Sequence, residues 1–197
     1  VLASLAGLAG VLFQLGQEPV TAAVPWGLPF GSGIVGLDGL SALFLLPVFG
    51  LGLTCACSGH IALRHVPAAE HNQPAHWFFF LLLLFGMALV MSARDAVLFL
   101  LAWEIMSLSP FFLIDFNDED GNVRDAAWVY LVAAHLGVVP LMAFWAFLWQ
   151  QGGATDFAAL AGVGAQLGLP LLSTLFLLSL VGFGAKAGLM PLHVWLP

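Results

Sequence analysis

The sequence predicts an all-α polytopic membrane protein, and three observations carry that expectation. Apolar residues make up 61% of the 197 positions, with 22 glycines in addition, against roughly 45–50% with glycine included in soluble domains. Charged residues are 8%, where about 25% is usual. The apolar residues also gather into six long stretches that do not alternate apolar with polar, which argues for spanning helices and against a β-barrel. Four Lys and Arg against eleven Asp and Glu exclude a basic nucleic-acid-binding face, and the apolar content excludes intrinsic disorder. The chain begins at Val1 without a methionine and stops at Pro197 inside an apolar run, so a piece of a longer protein is expected. Residues 1–197 read as a single membrane domain.

The stretches follow in order, each measured against the roughly 20 residues needed to cross the hydrocarbon layer. The first, about 1–16, is short and reads as half a span. The second runs over about 37–59, the third over about 76–93 and the fourth over about 95–116. Between the last two lies only Ser92-Ala93-Arg94-Asp95, a tight hairpin turn. The fifth covers about 125–149 and the sixth about 169–196. Residues 17–36 and 150–168 are rich in Gly, Pro and small residues and hold no Lys or Arg. Alternating spans put them on one side together with Arg94, and put 60–75 and 117–124, with Arg64 and Arg124, on the other. The excess of basic residues assigns 60–75 and 117–124 to the cytoplasm. The acidic run Asn117-Asp118-Glu119-Asp120 reads as a solvated turn with a helix starting at Asp125. His60, His65, His71 and His76 match no zinc spacing, and Cys55 and Cys57, two apart in one apolar stretch, suggest neither a disulfide nor a metal site.

The chemistry is expected where ionisable groups lie at membrane depth, because a charge at the centre of a span costs about 2.5–3.5 kcal/mol. Glu104, His135 and Lys186 are such groups. Each is followed closely by a proline, Pro110, Pro140 and Pro191 respectively. A proline within a helix frees the carbonyl four residues earlier, and a free carbonyl at that depth needs protein or water. The pairing predicts a hydrated path. Gly184 and Gly188 around Lys186 allow close approach or local unwinding. A glutamate and a lysine sharing one cavity titrate as a coupled pair, and Ser107 and Ser109 stand beside Glu104 as hydrogen-bonding groups. Asp38, Arg94 and Asp95 lie at stretch ends, where anchoring or capping is expected.

Four motifs then carry a resemblance: Leu37-Asp38-Gly39-Leu40-Ser41-Ala42-Leu43-Phe44; Trp103-Glu104-Ile105-Met106-Ser107-Leu108; Tyr130-Leu131-Val132 with His135-Leu136-Gly137; and Lys186-Ala187-Gly188-Leu189-Met190-Pro191-Leu192-His193-Val194-Trp195-Leu196-Pro197. In this order they resemble the antiporter-like membrane subunits of respiratory complex I, of multisubunit cation/proton antiporters and of energy-converting hydrogenases and formate hydrogenlyases. Glu104 to Ser109 looks closest to the hydrogenase-linked branch, although the family usually continues with an aromatic pair containing tyrosine where this chain has Pro110-Phe111-Phe112.

The resemblance implies a fold of about fourteen helices with two inverted repeats, each a proton half-channel. The six stretches would be its second to seventh helices, with 95–197 carrying most of the first half-channel. It also implies that Glu104 and Lys186 form the charge pair of that half-channel, with Lys186 on an interrupted helix, His135 as a relay, and Ser107 and His193 nearby. The implied function is proton movement in a redox-driven complex of a bacterial inner membrane. No cofactor, metal or catalytic residue is expected in this chain; the implied partners are the lipid bilayer, other membrane subunits and a peripheral redox arm. The alternatives are the large subunit of a sodium/proton antiporter, or a passive membrane anchor.

Overall fold

The computed structural model describes residues 1–28, 31–64, 72–117, 120–193 and 195–196. Apolar runs of membrane-spanning length become helices here. α2 spans Gly39–Leu63, α3 Gln73–Ser92, α4 Ala96–Ile114, α5 Gly121–Gly152 and α7 Leu169–Ala187, and all five are long and apolar enough to cross a membrane. α1, Leu2–Gln14, is shorter. At 1.5 Å per residue its 13 residues reach about 20 Å, as expected for a partial span. A short α6, Phe157–Leu160, follows α5. The architecture is an integral membrane helix bundle, with five full spans among the described residues where six stretches were expected.

Neighbours in sequence pack side by side: α1 on α2, α2 on α3, α3 on α4 and α4 on α5, while α7 lies against α5. The outer faces carry Leu43, Phe44 and Leu51 of α2, Phe78 and Phe85 of α3, and Leu136, Val139 and Met142 of α5, all exposed. Apolar residues on the outside suit a helix whose solvent is lipid. Inside, Phe99, Trp103, Ala102, Val138 and Leu141 are buried among α3, α4 and α5. Trp145 stacks on Phe157 at 4.9 Å and packs edge-on to Phe99. α5 and α7 touch through small residues. A Cβ on Gly182 would lie 2.5 Å from Leu141 Cγ, and one on Gly137 would lie 2.9 Å from Ala185 Cβ.

One end of the bundle is clasped by polar groups. Residues 17–36, expected as a plain connection, hold an antiparallel pair, β1 Val20–Ala23 and β2 Ile34–Leu37. Val35 bridges to Ala93, and Asp95 bridges to Asp156. The hairpin, the α3–α4 turn and the segment after α5 therefore share one side, as the alternation of spans predicted. Asp38 caps α2, accepting from the Ser41 amide at 2.7 Å, and pairs with Arg94 at 3.0 Å. Those contacts, the Ser41 amide first, hold its carboxyl below the ordinary 3.8. Asp95 is fully buried. It accepts from the Val97 and Leu98 amides at the start of α4 and from the hydroxyls of Ser32 and Thr155. One carboxylate thus ties two segments, the β1–β2 connection through Ser32 and the segment after α5 through Thr155, to the helix it caps. Replacing it by alanine leaves four donors without their acceptor, and a lost cap and unsatisfied buried donors together cost about 2–4 kcal/mol. Asp95→Ala is expected to lower the thermal unfolding midpoint in detergent by several degrees, whereas a surface change such as Gln150→Ala leaves it in place.

Two boundaries differ from the sequence expectation. α5 starts at Gly121 rather than Asp125, because Asp120 supplies the cap by accepting from the Asn122 amide at 2.9 Å. The sixth stretch does not stay helical to residue 196: α7 ends at Ala187, with Gly188 in the left-handed region at φ 71°. Pro191 therefore lies beyond the helix instead of inside it, and the break is made by Gly188. Pro110 and Pro140 are each inside a helix that continues past them. On the opposite end from the clasp, Arg64 contacts His60 at 3.0 Å and His76 packs on Phe116 at 4.8 Å. His65 and His71 lie outside the described residues.

Candidate proton path

α4 supplies two of the relevant groups. Glu104 lies near the middle of this 19-residue helix, and Ser107, three residues on, falls on the same face one turn along. Ser107 is completely buried, as is Ser109, whose hydroxyl donates back to the Ile105 carbonyl at 2.6 Å. α5 runs antiparallel beside α4 and brings Tyr130 and His135. Tyr130 is nine residues past Gly121, about 14 Å along the helix, and is buried. α7 brings Lys186 in its last turn. The helix ends there, and a cation in the last turn is favoured by the helix dipole.

The polar side chains form two clusters. In one, His135 Nε2 stands 3.6 Å from Glu104 Oε2, and His135 Nδ1 lies 2.8 Å from the Leu131 carbonyl. A carbonyl only accepts, so Nδ1 carries the hydrogen of that bond. A hydrogen bond between Nε2 and the Glu104 carboxyl then needs one further proton. The backbone bond thus leaves Nε2 as the ring nitrogen that faces the Glu104 carboxyl. Both side chains are partly open, at 45% and 33% exposure, beside a groove lined by Leu131, Val132, Leu136 and Val139.

In the other cluster, Lys186 Nζ donates to the Tyr130 hydroxyl at 3.1 Å and to Ser107 Oγ at 3.2 Å. The Tyr130 hydroxyl donates in turn to the Ser107 carbonyl at 3.1 Å. Trp195 closes the site from the segment beyond α7. Its Nε1 donates to the Ala185 carbonyl at 2.8 Å, and its ring meets Tyr130 edge-on at 5.7 Å. Leu189 donates to the Gly184 carbonyl at 2.9 Å, which closes the last turn around Gly188.

The structure therefore brings Glu104 to His135 and Lys186 to Ser107, with the two clusters one helical turn apart on α4. Lys186 makes no direct ion pair with Glu104 among the described residues. The sequence could offer only opposite charges as a reason to join them, whereas the fold offers the ammonium two hydroxyls. His193 lies past Gly188, with its Nδ1 buried and without a hydrogen-bond partner among the described residues. Gly184 packs against Leu189 inside the last turn of α7. Tyr130, which the structure adds to the Lys186 cluster, stands in the sequence only as part of a motif. A signal was available, since it is the chain's single tyrosine. Among the described residues no group of three or more His, Cys, Asp or Glu comes together.

The bundle thus carries a glutamate, a histidine and a lysine, all partly buried, on the three packed spans α4, α5 and α7, and ionisable groups are rare and costly within such spans. The chain is a member of the family described as NADH:quinone oxidoreductase/Mrp antiporter, membrane-spanning, which matches residues 93–197, just over half of its length. It is 32% identical over 161 residues to hydrogenase-4 component B of Escherichia coli, a match covering 82% of this chain and 23% of that one. Its fold resembles a chain of the archaeal membrane-bound sulfane sulfur reductase, with a TM-score of 0.75 at 23% identity, over 99% of this chain and 31% of the other. It also resembles a chain of respiratory complex I from Thermus thermophilus, with a TM-score of 0.69 at 27% identity, covering 98% and 39% respectively. The sequence thus spans about a quarter to two fifths of the proteins it matches. Both solved neighbours are parts of multisubunit membrane complexes or respiratory assemblies.

Proposed function

We propose that this chain forms one proton half-channel of a membrane subunit in a redox-driven complex, of the energy-converting hydrogenase, formate hydrogenlyase or complex I kind. The observation that carries the reading is the run of titratable groups across α4, α5 and α7: the Glu104–His135 pair and, one turn away, Lys186 held by Ser107 and Tyr130. Glu104 and His135 pass a proton between them, and Lys186, at the broken end of α7, changes its interaction with Glu104 as neighbouring charges move. Ser107, one turn along α4 from Glu104, holds Lys186. His193, with its unpartnered Nδ1, stands at the Lys186 end of the path, and Pro110, Pro140 and Gly188 loosen the backbone along it. Residues 95–197 hold all of these groups.

Electron transfer takes place elsewhere in the assembly, on a peripheral redox arm, and other membrane subunits flank this one. The complex sits in a bacterial cytoplasmic membrane, with 60–75 and 117–124 facing the cytoplasm. A sodium/proton antiporter subunit is the second reading, supported by the antiporter members of the same family. Sealed vesicles containing the assembled complex separate the two. Electron-driven proton uptake at the same rate in sodium-free and sodium-containing buffer supports the first reading. Uptake that requires sodium supports the second, and the redox-driven account then fails.

A further inference from the structure

We infer that the hydroxyls of Tyr130 and Ser107 form a cradle that holds Lys186 away from Glu104, which makes Tyr130 a positioning residue for the lysine. The inference rests on the half-channel reading and adds a defined resting place for its cation. Three contacts define that place: Lys186 Nζ to Tyr130 at 3.1 Å, Lys186 Nζ to Ser107 Oγ at 3.2 Å, and Tyr130 to the Ser107 carbonyl at 3.1 Å. The third fixes the direction of the first. The phenol's one hydrogen goes to a carbonyl that can only accept, so toward lysine the phenol oxygen can only accept as well. An ammonium, which has three donors and no acceptor, fits this arrangement. A neutral amine keeps a donor for Tyr130 but forfeits the added strength of a charged donor. The cradle therefore favours lysine in its protonated form when it is parked away from Glu104.

Packing keeps the cradle in register. Tyr130 is 6% exposed and Ser107 is fully buried. Trp195 braces the tyrosine ring and is itself tied to Ala185, the residue before Lys186. The titratable groups that bear on the lysine are Tyr130 on α5, Glu104 on α4 with its partner His135 on α5, and His193 beyond Gly188. Release of the lysine from the hydroxyls, and its move toward Glu104, is then the step that the neighbouring charges must drive.

The test is the pH dependence of electron-driven proton uptake in vesicles of the assembled complex, for the wild type, Tyr130→Phe, Ser107→Ala and Lys186→Ala. Phenylalanine keeps the ring against Trp195 and removes only the oxygen. A hydrogen bond to a charged group contributes enough that its loss moves the alkaline limb of the profile down by about one pH unit. Ser107→Ala is expected to move it in the same direction, and it decides the matter alone where Tyr130→Phe does not assemble. An unmoved profile in the assembled variants, or an equal loss of rate at every pH, overturns the cradle. Wild-type uptake by Lys186→Ala instead overturns the half-channel reading itself. An inactive Lys186→Ala beside an unmoved Tyr130→Phe profile removes the cradle alone.

Discussion

Glu104→Gln is expected to reduce proton translocation roughly a hundredfold while the complex still assembles, in line with the loss of a positioned proton-transfer group. Glutamine matches glutamate in shape and still reaches His135, so packing between α4 and α5 is kept. What disappears is the site that accepts and returns a proton. With Nδ1 of His135 committed to the Leu131 carbonyl, the only exchange open to that histidine is through Nε2, and Nε2 faces residue 104. An amide there neither takes up nor releases a proton near neutral pH, so the pair stops exchanging. Comparing uptake rates at equal amounts of assembled complex checks this. Rates within twofold of the wild type would mean that protons bypass Glu104.

The second large effect is structural and is expected from Gly182→Val. The added Cβ would lie 2.5 Å from Leu141 Cγ and 3.2 Å from the Gly137 carbonyl, and valine adds two further methyl groups. Helices at this separation have no room for them, because small residues are what permit the approach. Overpacking of this kind costs about 1–3 kcal/mol, and more where backbone blocks relaxation. The damage also reaches the path, since α7 must move away from α5 and Lys186 away from Tyr130. Thermal unfolding in detergent should show a lower midpoint for Gly182→Val and little change for Gly162→Ala, where a Cβ meets nothing within 4 Å. An unchanged midpoint for Gly182→Val would contradict the close packing of α5 on α7.

Much of the fold could be read from the sequence because lipid imposes a simple rule: a span must be apolar and about 20 residues long. The spans, the tight turn at Ser92–Asp95 and the anchoring roles of Asp38 and Asp95 all follow from it. The β1–β2 hairpin was not legible. Its strands are four residues each, and pairing across the hairpin with a bridge to Ala93 holds them rather than any pattern of their own. The start of α5 at Gly121 is hidden in the acidic run, where nothing in one dimension marks Asp120 out as the cap.

The site divides in the same way. Glu104, His135 and Lys186 could be found in advance, because charge in an apolar stretch is visible in one dimension. Their partners could not. Lys186 meets Ser107 and Tyr130 from two other helices, 79 and 56 residues away in the chain. That meeting depends on how α7 ends and how closely α5 and α7 approach, which Gly188, Gly137 and Gly182 decide together.

The central claim is that Lys186 is the switch of a proton path and not a staple between helices. Proton uptake by sealed vesicles containing assembled complex, with Lys186→Ala set against the wild type at matched electron flux, tests it most directly. The account predicts assembly at wild-type levels with uptake lost. Normal uptake by an assembled Lys186→Ala complex would contradict it and leave this chain as a membrane anchor.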